Sequence, residues 1–98
     1  MTVKLGLVAY MQARPGKEEE LRAFLESGRE LAAAEEGTVT WYAFRIDEST
    51  FGIFDTFETE DARQAHLNGE IPKALGQVGG DLLAAEPDIR AHEIVAVK

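Results

Sequence analysis

The sequence predicts an α+β fold in which one antiparallel sheet carries helices on a single face. Four segments have the alternating or β-branched pattern of strands, and they lie at residues 3–13, 38–46, 51–57 and 89–97. Helical patterns follow the first and the third of these segments. The order β-α-β-β-α-β, with the second helical part split in two, is that of a ferredoxin-like fold.

The first strand and helix are separated by Arg14-Pro15-Gly16, which breaks the alternating pattern of residues 3–13. Pro15 suits the first turn of a helix, where its missing N–H leaves no bond unmade. Gly28 costs about 1 kcal/mol relative to alanine inside a helix, which predicts a close approach between helix and sheet. Gly37 is predicted to cap the C-terminus of this helix. Its apolar stripe comprises Leu21, Phe24, Leu25, Gly28, Leu31 and Ala32.

The second half of the chain begins with a hairpin, because the polar residues 47–50 join two β-rich segments. Thr59 is placed to cap the next helix, predicted over about 59–68. A third helical piece is predicted over 71–78, ended by Gly79-Gly80, and the last strand over 89–97.

Composition narrows the class of protein. The 98 residues are enough for one domain, 1–98. A formal charge of −8 argues against binding nucleic acid or an anionic membrane. The chain has no cysteine, which excludes disulfides and thiolate chemistry. Without a signal-like segment or an apolar run of about 20 residues, a cytoplasmic location is expected.

The strands bearing Tyr10, Tyr42 and Phe44 are apolar on both sides. One helix layer covers only one side of a sheet, so the other side is expected to meet a second copy of the chain. The sequence therefore predicts a homodimer.

His66 is the first candidate for catalysis. A neutral imidazole with a pKa near ~6.5 can accept a proton from a substrate or form a hydrogen bond with it. The alternative is a packing role, in which the ring holds the helix against the sheet and donates to a backbone carbonyl. The other histidine, His92, is predicted to be structural or at the surface.

Four residues are candidates for binding a substrate: Trp41, Tyr42, Asp55 and Asn68. Trp41 and Tyr42 point to opposite faces of one strand, where they supply either an aromatic wall for a planar substrate or plain core packing. Asp55 interrupts an apolar strand and needs a partner there, for which Arg45 is suggested; a role as a base is the alternative. Asn68 either donates to a substrate oxygen or forms a turn with Gly69.

No metal or nucleotide cofactor is predicted. The two histidines lie far apart, without the spacing of metal ligands. The glycine-rich stretch 76–80 follows a helix, whereas a loop that binds phosphate precedes one.

These features resemble the antibiotic biosynthesis monooxygenase family of dimeric α+β-barrel proteins. The similarity covers nearly the whole chain and is clearest at residues 13–21, at Phe57-Glu58-Thr59 with Ala65-His66-Leu67, and at 37–42. It implies a homodimer whose sheets face each other and a pocket between each sheet and its own helices. It also implies a cofactor-independent monooxygenase that acts on a small aromatic phenol or quinol.

The chain departs from the family pattern in two places. Members often carry a further histidine where this chain has residues 68–73, and a tryptophan where it has Phe57. Some members degrade haem with an asparagine, a tryptophan and a histidine, and that activity is not carried over to this chain. The alternative function is a non-catalytic dimeric barrel that binds a small ligand or is associated with stress.

Overall fold

The computed structural model of the chain describes residues 3–98. Within them, four strands and three helices follow one another in the predicted order. They are β1 (Leu5–Gln12), α1 (Glu18–Ala33), β2 (Thr38–Arg45), β3 (Thr50–Phe57), α2 (Glu60–Leu67), α3 (Glu70–Leu82) and β4 (Asp88–Glu93).

The strands form one sheet in the order β2-β3-β1-β4, and every neighbouring pair is antiparallel. The helices pack on a single face of this sheet, which does not close on itself. The prediction of a ferredoxin-like α+β fold is therefore confirmed. The centre of the sheet is β3 and β1, and β3 places Asp55 opposite Leu7 on one side and Trp41 on the other.

The core lies between the sheet and the helices. Alternate residues of β1 and β3 point into it, as the period of two in a strand requires. They meet the apolar stripe of α1 and the apolar face of α3. The buried apolar side chains of these elements are Leu7, Met11, Leu21, Leu25, Ala32, Phe51, Ile53, Phe57, Ile71, Leu75 and Leu82.

The first helix begins three residues later than Pro15 suggests. Pro15 lies in a turn with Gly16, whose φ of +85° belongs to the left-handed region that glycine adopts without strain. The helix starts at Glu18 and has three acidic residues in its first turn, where the helix dipole favours negative charge. The chain thus turns before it enters the helix.

Gly37 does not cap α1 as predicted. The capping residue is Ala34, in a right-handed helical conformation. Gly37 instead lies against α2, where a β-carbon would stand 2.7 Å from the β-carbon of Ala62. The glycine is required by this close approach between the α1–β2 connection and α2.

The third helix is longer than predicted and the last strand is shorter. α3 continues through Gly79-Gly80 to Leu82, because Leu82 is buried and holds the last turn against the rest of the domain. β4 ends at Glu93, whereas the pattern predicted a strand to Val97. Beyond β4, the N–H of Ile94 still donates to the carbonyl of Lys4, at 2.7 Å.

The longest helix, α1, has 16 residues. Within residues 3–98, no helix combines the length and the apolar character that a membrane crossing requires.

Gly28 provides a test of helix packing. A β-carbon there would lie 3.5 Å from the ring of Trp41, an ordinary contact distance. Gly28→Ala should raise the free energy of unfolding by about 1 kcal/mol, since alanine is the better helix former. Gly37→Ala is the matched comparison. It should lower the free energy of unfolding by about 1–3 kcal/mol, because the new methyl group overlaps Ala62. Urea unfolding of both variants measures the two effects, and equal changes in both would contradict this packing.

Candidate functional site

A carboxylate lies at the centre of the helix-covered face of the sheet. Asp55 on β3 is only 1% exposed. Its Oδ2 is 3.0 Å from Nε2 of His66. Its Oδ1 is buried and has no hydrogen-bond partner among the described residues. Since a buried polar atom normally has a partner, this free oxygen is an unusual feature of the site.

His66 reaches this carboxylate from α2. Thr59 caps the helix as predicted, because its Oγ accepts the N–H of Ala62 at 3.1 Å. His66 lies on the last turn, is buried, and packs its ring 5.4 Å from that of Phe57. Its second ring nitrogen, Nδ1, is 2.7 Å from Oε1 of Glu35.

Arg63 is a second anchor of α2, one turn before His66. Its Nη1 donates to the carbonyls of Gly6 on β1 and His92 on β4, at 3.2 and 3.1 Å. Its side chain is 12% exposed and forms an ion pair with Glu60. The helix is therefore attached to the sheet by two polar side chains on one face.

Glu35 lies in the connection between α1 and β2. Its Oε1 also accepts the hydroxyl of Thr38 at 2.7 Å, and its side chain is 20% exposed. The site is a chain of three side chains from three separate segments: Glu35, His66 and Asp55. It runs from a partly exposed carboxylate to a fully buried one.

The two carboxylates decide the charge of His66. A neutral imidazole has a single N–H, so one of its nitrogens would present a lone pair to a carboxylate oxygen. Burial lowers the pKa of His66, but the hydrogen bonds with Asp55 and Glu35 and the charges of both outweigh burial, so the pKa is raised. In its doubly protonated form the ring donates to both carboxylates and has no free acceptor nitrogen.

A small cavity adjoins Asp55 and His66. Its volume is about 40 Å³, and apart from these two side chains it is apolar. The remaining lining residues are Leu7, Ala9, Ile53, Leu67, Ile71, Pro72, Leu75 and Ile89. On this measure a water molecule needs about 10–15 Å³, so the cavity alone holds a polar group rather than a whole ring.

A larger groove lies beside α3, next to the cavity. The groove has a volume of about 490 Å³ and shares Pro72, Leu75 and Ile89 with the cavity. Gly76 and Gly80 line it, and a β-carbon at either position would meet nothing within 4 Å. One wall is thus bare helix backbone, against which a flat molecule can lie.

Trp41 lies in line with the buried carboxylate, since it is directly opposite Asp55 on β2. Its ring packs on Gly28, and its Nε1 is buried with no hydrogen-bond partner among the described residues. Trp41 does not line the cavity, so the structure brings together Asp55 and His66 but not this third predicted residue.

Tyr42 and Asn68 lie outside the cavity. Tyr42 is 58% exposed and on the sheet face away from the helices. Asn68 is exposed at the end of α2, where its amide donates to the carbonyl of Gln64.

Arg45 is not the partner of Asp55. It lies at the end of β2, where it pairs with Glu19 and donates to the carbonyls of Asp47 and Glu48. The residue opposite Asp55 is Trp41, four positions earlier in the strand. The strand register therefore prevents the suggested ion pair.

Glu35 is the site residue that sequence reasoning missed. The pair Glu35-Glu36 has the appearance of solvated charge at the end of a helix. Its only signal is position, since Glu35 follows the last buried turn of α1 and precedes the glycine that approaches α2. Across residues 3–98, no group of three or more acidic or histidine side chains is arranged to hold a metal ion.

Solved structures similar to this chain share its whole fold. A protein of unknown function from Nitrosomonas europaea is 46% identical, with a TM-score of 0.96 over 98% of this chain and 93% of that one. A Pseudomonas aeruginosa protein is 24% identical, with a TM-score of 0.82 over 98% of both chains. A candidate antibiotic biosynthesis monooxygenase from Caulobacter crescentus is 24% identical, with a TM-score of 0.80 over 96% of this chain and 92% of that one.

No curated protein matches the chain. The sequence profile of the antibiotic biosynthesis monooxygenase family matches residues 5–77, which include every element from β1 into α3 and all three side chains of the site. The chain therefore belongs to the antibiotic biosynthesis monooxygenase family.

Proposed function

We propose that the protein is a cofactor-independent monooxygenase that acts on a small aromatic phenol or quinol. The observation that carries this proposal is the free Oδ1 of Asp55, a buried carboxylate oxygen beside an apolar cavity. A hydroxyl group of a ligand supplies the donor that this oxygen lacks. Family membership supports the reaction class.

Asp55 accepts the phenolic proton in this proposal. The sequence favoured His66 as the base, but both of its nitrogens are engaged with carboxylates. His66 therefore acts by holding Asp55, since its Nε2–H occupies Oδ2 and leaves Oδ1 without a partner. A base placed within hydrogen-bond reach of the proton it removes meets the first requirement for general base catalysis.

The sizes of the two spaces indicate how such a ligand lies. The hydroxyl group enters the cavity of about 40 Å³, while the ring system occupies the groove of about 490 Å³. The groove is within the range of about 300–1,000 Å³ typical of sites for small molecules. Its glycine wall, at Gly76 and Gly80, gives a planar ring close access to the backbone.

The oxidation needs only the substrate and molecular oxygen. With an anthrone, two C–H bonds at the reacting ring carbon break, and one oxygen atom of O₂ forms the new carbonyl. The other oxygen atom leaves as water, and all four electrons come from the substrate. The protein supplies proton removal from the phenol tautomer and an apolar enclosure.

The second candidate function is ligand binding without turnover. The same cavity, groove and free carboxylate oxygen bind a hydroxylated aromatic molecule whether or not oxygen reacts with it. The two functions differ in oxygen consumption alone.

Replacing Asp55 by asparagine tests the proton acceptor. Asp55→Asn should lower the rate of anthrone oxidation by about 10²–10⁴, because an amide does not take the proton. Oxygen uptake and incorporation of one ¹⁸O atom from ¹⁸O₂ into the product measure the reaction. Asp61→Asn is the matched control, since Asp61 is exposed in the first turn of α2.

An Asp55→Asn variant as active as wild type would remove Asp55 from the mechanism. Wild-type protein that binds 2-naphthol but consumes no oxygen with any anthrone or hydroquinone would favour the second candidate function.

Gly76→Leu tests the groove. The new side chain extends into open space, so it should fill the groove without disturbing the core and slightly stabilise α3. Affinity for 2-naphthol, measured by calorimetry, should fall at least about tenfold because the ring loses its place. Gln77→Leu adds the same side chain at the next, exposed position and should bind normally. Equal affinities in both variants would mean that the ligand does not use the groove.

We also propose that the protein is a homodimer whose sheets face each other. The sheet face away from the helices carries Tyr10, Tyr42, Phe44 and Phe54, with Tyr42 58% exposed. An aromatic surface of this kind is typical of an interface. A cytoplasmic location and a single domain over residues 1–98 stay predictions from the sequence.

Tyr42→Asp should separate the dimer, because the interface would bury a charge without a partner. Sedimentation at micromolar concentration should give twice the chain mass for wild type and a smaller species for the variant. Gln77→Asp, which places the same charge on the exposed side of α3, should stay dimeric. Wild-type protein that sediments as a stable monomer would refute the facing-sheet arrangement.

A further inference from the structure

We propose that Glu35 is a positioning residue, which keeps His66 doubly protonated and thereby keeps Oδ1 of Asp55 available to the hydroxyl group of a substrate. This inference rests on the proposed function for its substrate but on the geometry of three side chains for its mechanism. Glu35 touches neither the cavity nor Asp55, so it acts only through His66.

Glu35 is held firmly enough to position another residue. Its Oε1 lies 2.7 Å from Nδ1 of His66 and 2.7 Å from the hydroxyl of Thr38. Its backbone N–H donates to the carbonyl of Ala32, and its carbonyl accepts the N–H of Thr38. Its Oε2 would be 3.0 Å from a β-carbon on Gly69, so the α2–α3 connection packs directly on the carboxylate.

The two hydrogen bonds of His66 are cooperative because they need the same protonation state. With Nδ1–H bonded to Glu35, the ring presents Nε2–H to Asp55 only when it is protonated on both nitrogens. The carboxylate of Glu35 favours the doubly protonated form by its charge. The imidazolium then faces Asp55 with a full positive charge.

The surroundings of His66 contain few other groups that compete for this role. Asp55 from β3 and Glu35 from the α1–β2 connection are the titratable side chains in contact with its ring nitrogens. The ring of Phe57 packs beside it. The side chains that line the cavity with it from β1, β4 and α3 are apolar, namely Leu7, Ala9, Ile89, Ile71, Pro72 and Leu75. On α2 itself, Arg63 turns to Glu60 and to backbone carbonyls of the sheet.

A buried carboxylate without a facing positive charge is unfavourable. If Glu35 loses its charge, His66 gives up a proton more readily and Asp55 loses its cationic partner. Without that charge-assisted bond, the side chain of Asp55 is no longer held in one orientation, and its Oδ1 is no longer kept available to the ligand. A side chain more than one contact away from the ligand thus controls its binding.

Glu35→Gln separates charge from hydrogen bonding, because the amide oxygen still accepts from Nδ1–H and from Thr38. The imidazole signals of His66 and His92 are the only two in the chain, and His92→Gln assigns them. In proton NMR titrations, the midpoint of His66 should fall by about one pH unit or more in Glu35→Gln. Glu36→Gln is the control, since it removes the same charge at the adjacent, exposed position.

The pH dependence of stability gives a second readout. Because folding raises the pKa of His66, its stabilising effect is full below the unfolded value of about 6.5 and is lost as pH rises through the folded value. In Glu35→Gln this stabilising effect should be smaller and should be fully lost at a lower pH than in wild type, because only the folded-state pKa of His66 falls. If Glu35 only held the α1–β2 connection against α2, Glu35→Gln would lower the free energy of unfolding equally at every pH.

Ligand affinity tests whether the charge of Glu35 affects the binding of a substrate. At slightly alkaline pH, Glu35→Gln should bind 2-naphthol about tenfold more weakly than wild type, while the methyl ether of 2-naphthol binds both proteins equally. A His66 midpoint equal to that of Glu36→Gln would overturn the proposal, and so would unchanged affinity for 2-naphthol. Wild-type protein that does not bind 2-naphthol at all would refute the proposed function, and the role of Glu35 toward a substrate would fall with it.

Discussion

The structure depends on one unfavourable placement, a carboxylate at the centre of an apolar layer. Asp55 lies on an inner strand and is covered by helices, where an isolated charge is strongly destabilising. His66 relieves this from α2, since its Nε2 is 3.0 Å from the carboxylate, and Glu35 bonds to the other ring nitrogen from the α1–β2 connection. β3, α2 and the α1–β2 connection each contribute one of these three side chains, so the three segments meet at this group.

Natural domains accept such a placement where it has a use, because an apolar side chain of similar size avoids the difficulty altogether. A leucine at position 55 would extend the surrounding layer of Leu7 and Ile53 without needing any partner. The hydrogen-bonded row of Glu35, His66 and Asp55 is also incomplete, since Oδ1 of Asp55 keeps an unused acceptor position. In the proposed function, this unused bonding position is where the hydroxyl group of a ligand binds.

The strands and helices could be predicted from the sequence, because each depends on a short pattern of residues. Alternation identified the strands, helical spacing identified α1, and Thr59 marked the start of α2. The errors arose where tertiary contacts override local preference. Gly79-Gly80 has the composition of a helix end, yet the buried Leu82 carries α3 past it.

The site was predictable only in pieces. Asp55 and His66 each stood out as a polar residue in an unexpected place, but their contact depends on how α2 crosses the sheet, which no spacing along the chain reveals. Arg45 was assigned to Asp55 because the strand register was unknown, and the register pairs Asp55 with Trp41. Glu35 gave no usable signal, since an exposed-looking acidic pair after a helix is common.

The two polar side chains that attach α2 to the sheet, Arg63 and His66, determine how this short helix is positioned. A helix of eight residues has little stability alone, and an apolar face by itself permits sliding and rotation, because contacts between aliphatic groups are not directional. Arg63 binds carbonyls of β1 and β4, whereas His66 binds the carboxylate on β3. Two directional attachments about one helical turn apart, to three different strands, fix both the rotation of α2 about its axis and its translation along the sheet. The helix is thus held in one position on the sheet, and Asp55 and His66 keep their geometry although α2 buries little surface.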